Sequence, residues 1–402
     1  MSKVMFFVLF LQKLNLKKLM IISREIKQSI IDSLLSDQNF NKVIVVYGAR
    51  QVGKTTLIKD IQQSLNFRSV YYNCDFLNVQ EMFSYSNAHN FEYLVKDVEL
   101  LILDEAQRIR DIGMVLKILT DSFPALKIIA SGSSSFELSN KINEPLTGRK
   151  IIYSLYPLSF NEATLQLNFV QKKSMIERLL RFGSYPALQN KTETQIIDLL
   201  NELTSSYLFK DIFTFHQLKR PEILLNLLRL LAFQIGNEVA YTELANNLKV
   251  DQTVVQNYIN LLEAGFIIFK LPALSRNLRN EVSKSRKIYF WDSGIRNAII
   301  QNFNPLDLRN DVGQLWENFC VVERIKFLHN QRKFFNAFFW RTYTQKEIDY
   351  IEEKDGKLRA FEFKSGADKK VKIPKEFHQA YPDSAFKMIN PENFINDLFT
   401  DD

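Results

Sequence analysis

A hydrophobic strand, a GxxxxGKT loop and the start of a helix follow one another in residues 42–61, KVIVVYGARQVGKTTLIKDI. Gly48 and Gly53 let the loop backbone curl around an anion, so that its N–H groups point inward. A helix that begins near Lys54 adds the positive end of its dipole at the same point. This order of elements predicts an α/β domain with a buried strand behind the loop, and it predicts binding of a nucleoside triphosphate.

The loop also supplies side chains for the phosphates and for a metal ion. We expect Lys54 to reach the β- and γ-phosphates, and the hydroxyl of Thr55 to hold Mg²⁺. The alternative is a chance Gly-Lys-Thr turn, which an eight-position pattern between a strand and a helix argues against. The predicted nucleotide-binding residues are Gly48, Ala49, Arg50, Gln51, Val52, Gly53, Lys54, Thr55 and Thr56.

Two carboxylates end a second apolar run, VELLILDEAQRI, at residues 98–109. A nearly continuous apolar run with acidic groups at its end is typical of a buried parallel strand that carries a site. We expect Asp104 to bind Mg²⁺ through water, and Glu105 to polarise the attacking water. Such carboxylates are often only loop residues, but their position fifty residues (104 − 54) after Lys54 favours the catalytic interpretation.

A third apolar strand, ALKIIASGSSSFEL, ends in a cluster of hydroxyl groups. Ser131 or Ser133 is a candidate to sense the γ-phosphate, and we include Ser133 among the catalytic residues. An ordinary turn rich in Gly and Ser is the alternative interpretation of the same residues.

At these residues the chain resembles the AAA+ superfamily of ATPases. GARQVGKTT, LDEAQ, SGSSS, LTGR, YPLSF and FGSYPA follow one another as in a prokaryotic AAA+ group whose C-terminal half carries an uncharacterised domain. YLFKDI and FEFKSG also recur in that group, so the resemblance covers about residues 20–400. The resemblance implies that ATP, rather than GTP, is the nucleotide. Membership of such a group does not supply a cellular role.

Residues 165–235 are mostly helical by pattern, as in IERLLRFGSYPALQN and PEILLNLLRLLAFQIG. We expect them to form a helical lid over the nucleotide. Arg149, in LTGR, and Arg181, in RFGSYPA, are candidates to contact the γ-phosphate, within the chain or from a neighbouring subunit. Ordinary surface ion pairs are the alternative for either arginine, and the resemblance favours Arg149.

Length and composition predict several packed domains in a reducing cytoplasm. A chain of 402 residues is long for one domain, and 46% hydrophobic residues exclude a disordered protein. Cys74 and Cys320 form neither a metal-binding spacing nor a disulfide framework. The expected domains are an ATPase core at 20–164, the helical lid at 165–235, a winged helix at 236–300 and a nuclease-like domain at 301–402.

The apolar run VMFFVLFL, residues 4–11, is too short to span a bilayer, and no small-residue cleavage site follows it. We therefore expect no stable membrane insertion and no export. IISREIKQSIIDSLL, which follows Met20, has the pattern of a first amphipathic helix. Residues 1–19 are then an upstream extension from a misassigned start codon, or alternatively a weak peripheral membrane helix.

A helix, a turn, a second helix and two alternating strands follow one another in residues 236–291, which predicts a winged helix. The net charge of +7 arises from mixed charges, so any contact with nucleic acid should be local. In DNA-binding versions the second helix enters the major groove. Packing within the chain or against a protein partner is the alternative. The residues expected to face DNA bases are Gln252, Thr253, Gln256 and Asn257, and those expected to grip phosphates are Arg276, Arg279, Lys284, Arg286 and Lys287.

The segment EIDYIEEKDGKLRAFEFKSG predicts a hairpin with a turn at Asp355 and Gly356. Glu362 and Lys364 lie on one face of its second strand, and the hairpin brings Asp349 beside them. Paired carboxylates suit a metal ion, and a lysine can activate water. This pattern resembles the D…ExK core of the PD-(D/E)XK nucleases, in which a preceding helix often adds a glutamate, here Glu317. A solvated hairpin with a Glu-x-Lys pair is the alternative.

The sequence thus predicts a Mg²⁺-dependent ATPase of the cytoplasm whose lid moves a winged helix and a nuclease-like domain, with DNA as the favoured target. The alternative is a slow nucleotide-dependent switch whose C-terminal domains bind a protein partner and do not cut nucleic acid. Assembly into a homo-oligomer is left open by both interpretations.

Overall fold

The computed structural model of the protein describes residues 22–132, 142, 145–207, 220–275, 286–342, 344–366 and 371–400. The N-terminal extension expected at residues 1–19, and Met20 with it, lie outside this set. Within the described residues, no helix is long and apolar enough to cross a membrane.

A parallel sheet of five strands forms the first half of the molecule, in the order β2-β3-β4-β1-β5. Both β1 and β3 are buried along their whole length, because VIVVY and LLILD have apolar side chains on both faces. The α/β class predicted from the sequence is therefore confirmed. The strands are β1 Val43–Tyr47, β2 Ser69–Asn73, β3 Leu100–Asp104, β4 Lys127–Gly132 and β5 Lys150–Ser154.

Helices cover the sheet and bury their apolar faces against it. The first of them begins at Ile26, and it contributes Ile26, Ile30 and Leu34 to the core. The helices of this half are α1 Ile26–Leu35, α2 Lys54–Ser64, α3 Leu77–Met82, α4 Phe91–Val95 and α5 Ile112–Ser122.

Within residues 155–207 and 220–235 the structure describes four helices, and three of them begin with a capping box. In each box the side chain of the first residue accepts a hydrogen bond from the backbone N–H three residues later. The Glu or Gln side chain at that later position accepts one from the backbone N–H of the first residue. The first residues are Ser159, Asn168 and Thr192. These caps explain why the helices begin where they do. The helices are α6 Phe160–Ala163, α7 Phe169–Phe182, α8 Glu193–Glu202 and α9 Pro221–Phe233, and a short π-helix, Leu203–Tyr207, continues α8.

Two helices and an antiparallel strand pair occupy the region in which the sequence predicts a winged helix. Lys249 ends the first helix with a left-handed backbone, and Asp251 caps the second by accepting a hydrogen bond from Thr253 N. The elements are α10 Tyr241–Leu248, α11 Gln252–Ala264, β6 Ile268–Pro272 and β7 Arg286–Phe290, with α12 Ser293–Ile299 after them.

A long helix and a second sheet form the C-terminal part, with strand order β11-β10-β9-β8. β8, β9 and β10 are antiparallel, while β11 is parallel to β10. The turn between β9 and β10 lies at Asp355 and Gly356, as predicted, and both have positive φ. The elements are α13 Val312–Asn330, β8 Asn336–Arg341, β9 Glu347–Lys354, β10 Lys357–Phe363, α14 Lys375–Ala380, β11 Ala385–Ile389 and α15 Phe394–Asp397.

The two halves share one apolar core. A single cluster of buried side chains runs from Ile26 through both ends of the parallel sheet to Leu398, and a smaller one lies under β8–β10. The hairpin β6–β7 also joins the second sheet, because Leu274 N donates to Phe339 O of β8 at 2.7 Å. Side chains near β7 are therefore positioned against the C-terminal part.

Candidate functional site

The GxxxxGKT loop lies at the carboxyl end of β1, between β4 and β5. Gly48 passes under the backbone of Leu155, where a Cβ would overlap the carbonyl oxygen of that residue. Gly53 has φ +96°, a left-handed conformation that other residues adopt only with strain, and α2 begins immediately after it. Steric constraints therefore explain why glycine occupies both positions of the motif.

Lys54 lies inside the loop that precedes it. Its ammonium donates to the carbonyl oxygens of Gly48 at 2.9 Å and Ala49 at 3.0 Å, and only 5% of the residue is exposed. The ammonium is thus held at the place where the loop backbone closes. This position suits a cation that binds phosphate oxygens of a nucleotide in the loop.

A cleft of about 560 Å³ opens in front of the loop. Ala49 and Val52 are buried against the core, so these two predicted residues offer the nucleotide only their backbone. The cleft is lined by Arg50, Gln51, Gly53, Lys54, Thr55, Thr56, Asp75, Glu105, Arg108 and Pro186. Pro186 belongs to the FGSYPA segment, which follows α7, so the helical region after the sheet reaches the cleft.

Asp104, at the end of β3, gathers three hydroxyl groups. Thr55 Oγ1 donates to Asp104 Oδ2 at 2.6 Å, Tyr71 OH donates to the same oxygen at 2.7 Å, and Ser131 Oγ donates to Oδ1. Burial, followed by the hydrogen bond to Asp104, raises the pKa of Tyr71. Tyr71 therefore remains a protonated donor at neutral pH.

The pair of Thr55 and Asp104 fits a magnesium ion. A hydroxyl and a carboxylate are hard oxygen ligands of the kind that Mg²⁺ prefers, and their contact joins the buried Asp104 carboxylate to Thr55, which lines the cleft. The sequence predicts the same pair from positions that are 49 residues apart.

Glu105 lines the cleft beside Asp104 in a left-handed conformation, φ 54°. Its backbone N–H donates to Ser131 Oγ at 3.2 Å, and its carboxylate accepts a hydrogen bond from Gln107 Nε2 at 2.6 Å. Ser131 thus contacts both acidic residues of the motif. Ser133, the other candidate sensor, lies outside the described residues.

Arg24 braces the loop from behind, and the sequence gives little indication of this. Its guanidinium donates to Val52 O and to Tyr156 O, both at 2.7 Å, and forms an ion pair with Glu162 at 3.0 Å. The partners lie 28 and 132 residues away, and a single arginine before a helix has the pattern of a solvated charge. Its place in the IISREIK segment, just before α1, is the only signal.

Arg149 lies at the amino end of the strands, whereas the cleft lies at their carboxyl end. Its carbonyl oxygen accepts a hydrogen bond from Val43 N, at the first residue of β1, whereas the loop follows the last residue of that strand. The expected contact between Arg149 and a γ-phosphate of its own chain is therefore not formed, because the length of β1, roughly 13 Å, separates them. The side chain is partly exposed and pairs with Asp121.

Arg181, the second candidate, does not line the cleft and is engaged by other partners. Its Nη1 and Nη2 pair with the Glu193 carboxylate, at 3.1 and 3.0 Å, and Nε donates to Phe303 O at 3.2 Å. The structure supports the ion-pair interpretation for this residue.

A second polar site, the C-terminal carboxylate centre, contains the four residues of the expected nuclease-like constellation: Glu317, Asp349, Glu362 and Lys364. Lys364 Nζ pairs with Glu362 at 2.6 Å, and Asp349 Oδ2 accepts a hydrogen bond from Phe363 N at 2.8 Å. Glu317, from α13, shares a lysine with Asp349. The sequence pattern therefore selects residues that fold together.

That shared lysine is Lys287, from β7. Its ammonium lies 2.9 Å from Glu317 Oε1 and 3.9 Å from Asp349 Oδ1, and it also pairs with Glu347. Only 1% of Lys287 is exposed, so the expectation that it grips a phosphate backbone is wrong. The sequence contains one signal of this burial: Lys287 and Tyr289 alternate along β7 and so lie on the same face. In the structure both side chains donate to Glu317 Oε1.

Burial controls the protonation of the carboxylate centre. It raises the pKa of Glu317 to about 8 and that of Glu362 to about 7, and in both cases the charge of Asp349 adds to the effect. Burial also raises the pKa of Asp349, while the nearby Lys287 lowers it. Closely spaced carboxylates in a dry site thus compete for the available positive charge.

A metal ion does not fit this centre as the residues now lie. Across the described parts of the chain, no three His, Cys, Asp or Glu side chains are placed to hold a metal ion together. Lys287 already occupies the space between Glu317, Glu347 and Asp349.

The second helix of the expected winged helix, α11, presents polar side chains to solvent. Gln252, Thr253, Gln256 and Asn257 are all exposed, whereas Val255 and Ile259 are buried. Of the expected phosphate-gripping residues, Arg286 stacks on the ring of Tyr241 with its charge 4.5 Å from the centroid. Arg276, Arg279 and Lys284 lie outside the described residues.

Comparison with protein families agrees with the geometry of the first site. Residues 40–164 match the family model described as an AAA domain. This part of the chain is therefore similar to AAA domains. Residues 173–306 and 312–395 match two further families, each described only as a domain of unknown function.

Relatives of similar length carry no assigned role. An uncharacterised protein of Methanocaldococcus jannaschii is 26% identical over 83% of this chain and 77% of its own length. An uncharacterised protein of Haemophilus influenzae is 24% identical over 82% of this chain and 84% of its own length. Among solved structures, the replication initiator DnaA bound to AMPPCP and single-stranded DNA is 18% identical, with 60% of this chain and 86% of that chain covered, at a TM-score of 0.28. A score this low transfers no role to this chain.

Proposed function

We propose that the protein binds ATP together with Mg²⁺ and hydrolyses it. The observation that carries the proposal is the contact of 2.6 Å between Thr55 and Asp104, which joins the two motifs beside the cleft that Thr55 lines. A hydroxyl, a buried carboxylate and the Lys54 ammonium converge there beside a loop of backbone N–H groups. This combination suits a nucleoside triphosphate and its metal ion.

Several residues in and beside the cleft have distinct roles in the proposed hydrolysis. Lys54 and the loop N–H groups bind and orient the phosphates, and Thr55 and Asp104 hold Mg²⁺, which supplies neutralisation of the phosphate charge. Glu105 accepts a proton from, and orients, the attacking water. Gln107 restrains the Glu105 carboxylate through its hydrogen bond. Ser131 supports the Glu105 backbone and Asp104 together.

Two variants test this assignment. Lys54→Ala should abolish ATP binding, because the phosphates lose their cation, whereas Glu105→Gln should keep binding and lower turnover at least about 100-fold. ATP binding is measured by calorimetry and turnover by phosphate release. Lys59→Ala is the matched lysine control on α2, since Lys59 stacks on Tyr71 without lining the cleft. Normal turnover in either Lys54→Ala or Glu105→Gln would exclude this site as the ATPase centre.

We further propose that the C-terminal half of the protein binds DNA, and that the protein works in the cytoplasm. The supporting observation is that the first turns of α11 present Gln252, Thr253, Gln256 and Asn257 to solvent, at the end of the helix from which recognition helices contact base edges. These amide and hydroxyl side chains can pair with base edges. Stimulation of ATP turnover by double-stranded DNA, lost in Gln256→Ala with Asn257→Ala, is the expected result. Gln331→Ala, just after the end of α13, serves as a control for loss of an exposed amide side chain.

The second candidate function is a nucleotide-dependent switch that binds a protein partner, with a nuclease-like domain that does not cut. The observation that favours it is the burial of Lys287 among the carboxylates of the C-terminal centre. Turnover that is indifferent to single- and double-stranded DNA, together with no cutting in Mg²⁺ or Mn²⁺, would favour this candidate over the first.

A further inference from the structure

The C-terminal carboxylate centre receives one of its charges from outside the C-terminal sheet. Lys287 reaches the centre from β7, and its ammonium contacts carboxylates of α13 and β9. The ring of Phe339, from β8, covers it, with the ammonium 5.6 Å from the ring centroid. A cation of this chain therefore lies among three acidic side chains and away from water.

The backbone that carries Lys287 is fixed on both sides. Asn318 of α13 accepts a hydrogen bond from Phe290 N at 2.8 Å and donates one to Phe290 O at 3.1 Å. Tyr289 OH donates to Glu317 Oε1 at 2.6 Å. On the other side, β6 pairs with β7 along the whole strand. The ammonium is thus held in place by its strand and does not depend on a flexible side chain alone.

One oxygen each of Glu317 and Asp349 already accepts hydrogen bonds within the chain. Glu317 Oε1 accepts from both Lys287 and Tyr289, and Asp349 Oδ2 accepts from Phe363 N. A divalent ion bound between Glu317 and Asp349 would lie within about 4 Å of the ammonium, where like charges repel strongly in a dry site. Metal binding therefore requires the removal of Lys287.

We infer that Lys287 is the resident cation of the C-terminal carboxylate centre and closes that centre to divalent metal ions. The charge that a metal ion would supply comes from the chain itself. The centre then works as a joint that fastens the β6–β7 hairpin to α13 and the second sheet. Metal-dependent hydrolysis of nucleic acid at these residues is excluded as long as β7 keeps this position.

Counting bound Mn²⁺ by electron paramagnetic resonance tests the inference on the natural sequence. The full chain and its Asp349→Asn variant are titrated without nucleotide, so that the difference between them reports only the C-terminal centre. We expect equal numbers of bound Mn²⁺ ions. One additional Mn²⁺ in the natural sequence would overturn the inference, and this comparison does not depend on the folding of a Lys287 variant.

Replacing Lys287 provides the opposite test. Lys287→Met keeps the apolar stem and removes the charge, so it should gain one Mn²⁺ that disappears again when Asp349→Asn is added. Lys287→Arg, which keeps the charge, and Lys364→Met, which leaves Lys287 in place, should gain none. Failure of a folded Lys287→Met chain to gain Mn²⁺ would show that another feature closes the centre, and would overturn the inference.

The readout is independent of the proposed ATPase. Bound Mn²⁺ is counted without ATP, and Lys287 lies outside the nucleotide cleft. If the natural sequence shows no ATP turnover, the proposed function is refuted, and the number of bound Mn²⁺ ions still tests the inference. Retained far- and near-ultraviolet circular dichroism identifies the variants that are folded.

Discussion

Arg24 holds the nucleotide-binding loop against the segment after β5, and its removal should affect both stability and binding. In Arg24→Met the carboxylate of Glu162, which is almost fully buried, loses its cation. An uncompensated buried charge of this kind costs about 3 kcal/mol of unfolding free energy. The Val52 carbonyl is released as well, so the affinity for ATP should fall about tenfold, equivalent to about 1.4 kcal/mol.

Urea unfolding and calorimetric titration with ATP measure these two effects. Lys27→Met is the control, because Lys27 pairs with Asp60 at 2.8 Å in a more exposed position, where an ion pair contributes less than about 1 kcal/mol. Equal losses in the two variants would mean that Arg24 makes only a surface pair. Adding Glu162→Gln to Arg24→Met should recover part of the stability, since the charge that was left alone is gone.

His329 makes stability depend on pH between neutrality and mild acid. Burial, helped by the charge of Arg332, lowers the pKa of His329 to about 4 from its usual value near 6.5. The neutral ring, packed edge-on against Tyr156 and Phe335, is thus favoured by folding. This contribution is fully present above pH 6.5 and is lost as the pH falls toward 4, because the unfolded chain binds the proton more readily.

Urea unfolding at pH 7 and at pH 4.5 tests this dependence. The natural sequence should lose about 2–3 kcal/mol more than His329→Gln over this interval. His378→Gln, which replaces an exposed histidine on α14, should follow the natural sequence. A parallel pH dependence in all three proteins would contradict the assignment to His329.

At the level of helices and strands, Asn318 lets a helix pair with the edge of a strand. Its amide meets both the N–H and the C=O of Phe290, so one side chain of α13 satisfies both backbone groups of this β7 residue. Asn318→Ala leaves two buried backbone groups without partners, which costs about 3 kcal/mol. Amide hydrogen exchange in β7 should become faster at the same time, because the strand loses its anchor.

Unfolding by urea and hydrogen exchange followed by mass spectrometry measure the two effects. Asn330→Ala, on the same helix, is the matched control. Its amide donates to Glu25 at 2.8 Å in an exposed position, so the loss should stay below about 1 kcal/mol. Unchanged exchange in β7 of Asn318→Ala would show that Asn318 does not anchor the strand.

The elements show which features can be predicted from a sequence. The loop of β1 and the carboxylates after β3 are predictable because glycine spacing, apolar runs and acidic ends are local patterns. The turn at Asp355 and Gly356 is predictable for the same reason. The roles of Arg24 and Lys287 are not, because a buried cation and a solvated one look alike in sequence until their distant partners are known.

Across the whole molecule, α13 connects the two polar sites. Glu323 accepts a hydrogen bond from Phe160 N at 2.6 Å, and Lys326 donates to Leu158 O at 3.0 Å and to Ser184 Oγ at 3.4 Å. Ser184 lies two positions before Pro186, which lines the nucleotide cleft. The same helix carries Glu317 of the carboxylate centre. A change at the cleft therefore has a packed, hydrogen-bonded route toward β7, although coupling along it requires two alternative arrangements of these groups.

The position of Arg149 leads to a prediction about the assembly of the protein. Its side chain is 41% exposed at the edge of the sheet away from its own cleft, so it is available to a γ-phosphate only in a neighbouring copy. An arginine supplied from a second subunit accelerates phosphoryl transfer by about 10³-fold or more in other nucleotide hydrolases. Arg149→Ala should therefore lose turnover while it keeps ATP binding.

Mixing two inactive variants distinguishes a shared site from a loss of folding. Arg149→Ala keeps a complete cleft and lacks the arginine, whereas Lys54→Ala keeps the arginine and lacks a working cleft. In a homo-oligomer, an equimolar mixture forms sites that combine both intact parts, so ATP turnover should reappear on mixing. Arg110→Ala, which removes an arginine that is 95% exposed, should remain active by itself. A mixture that stays inactive although the subunits exchange would contradict this prediction. Arg149 would then have a structural role, through its ion pair with Asp121.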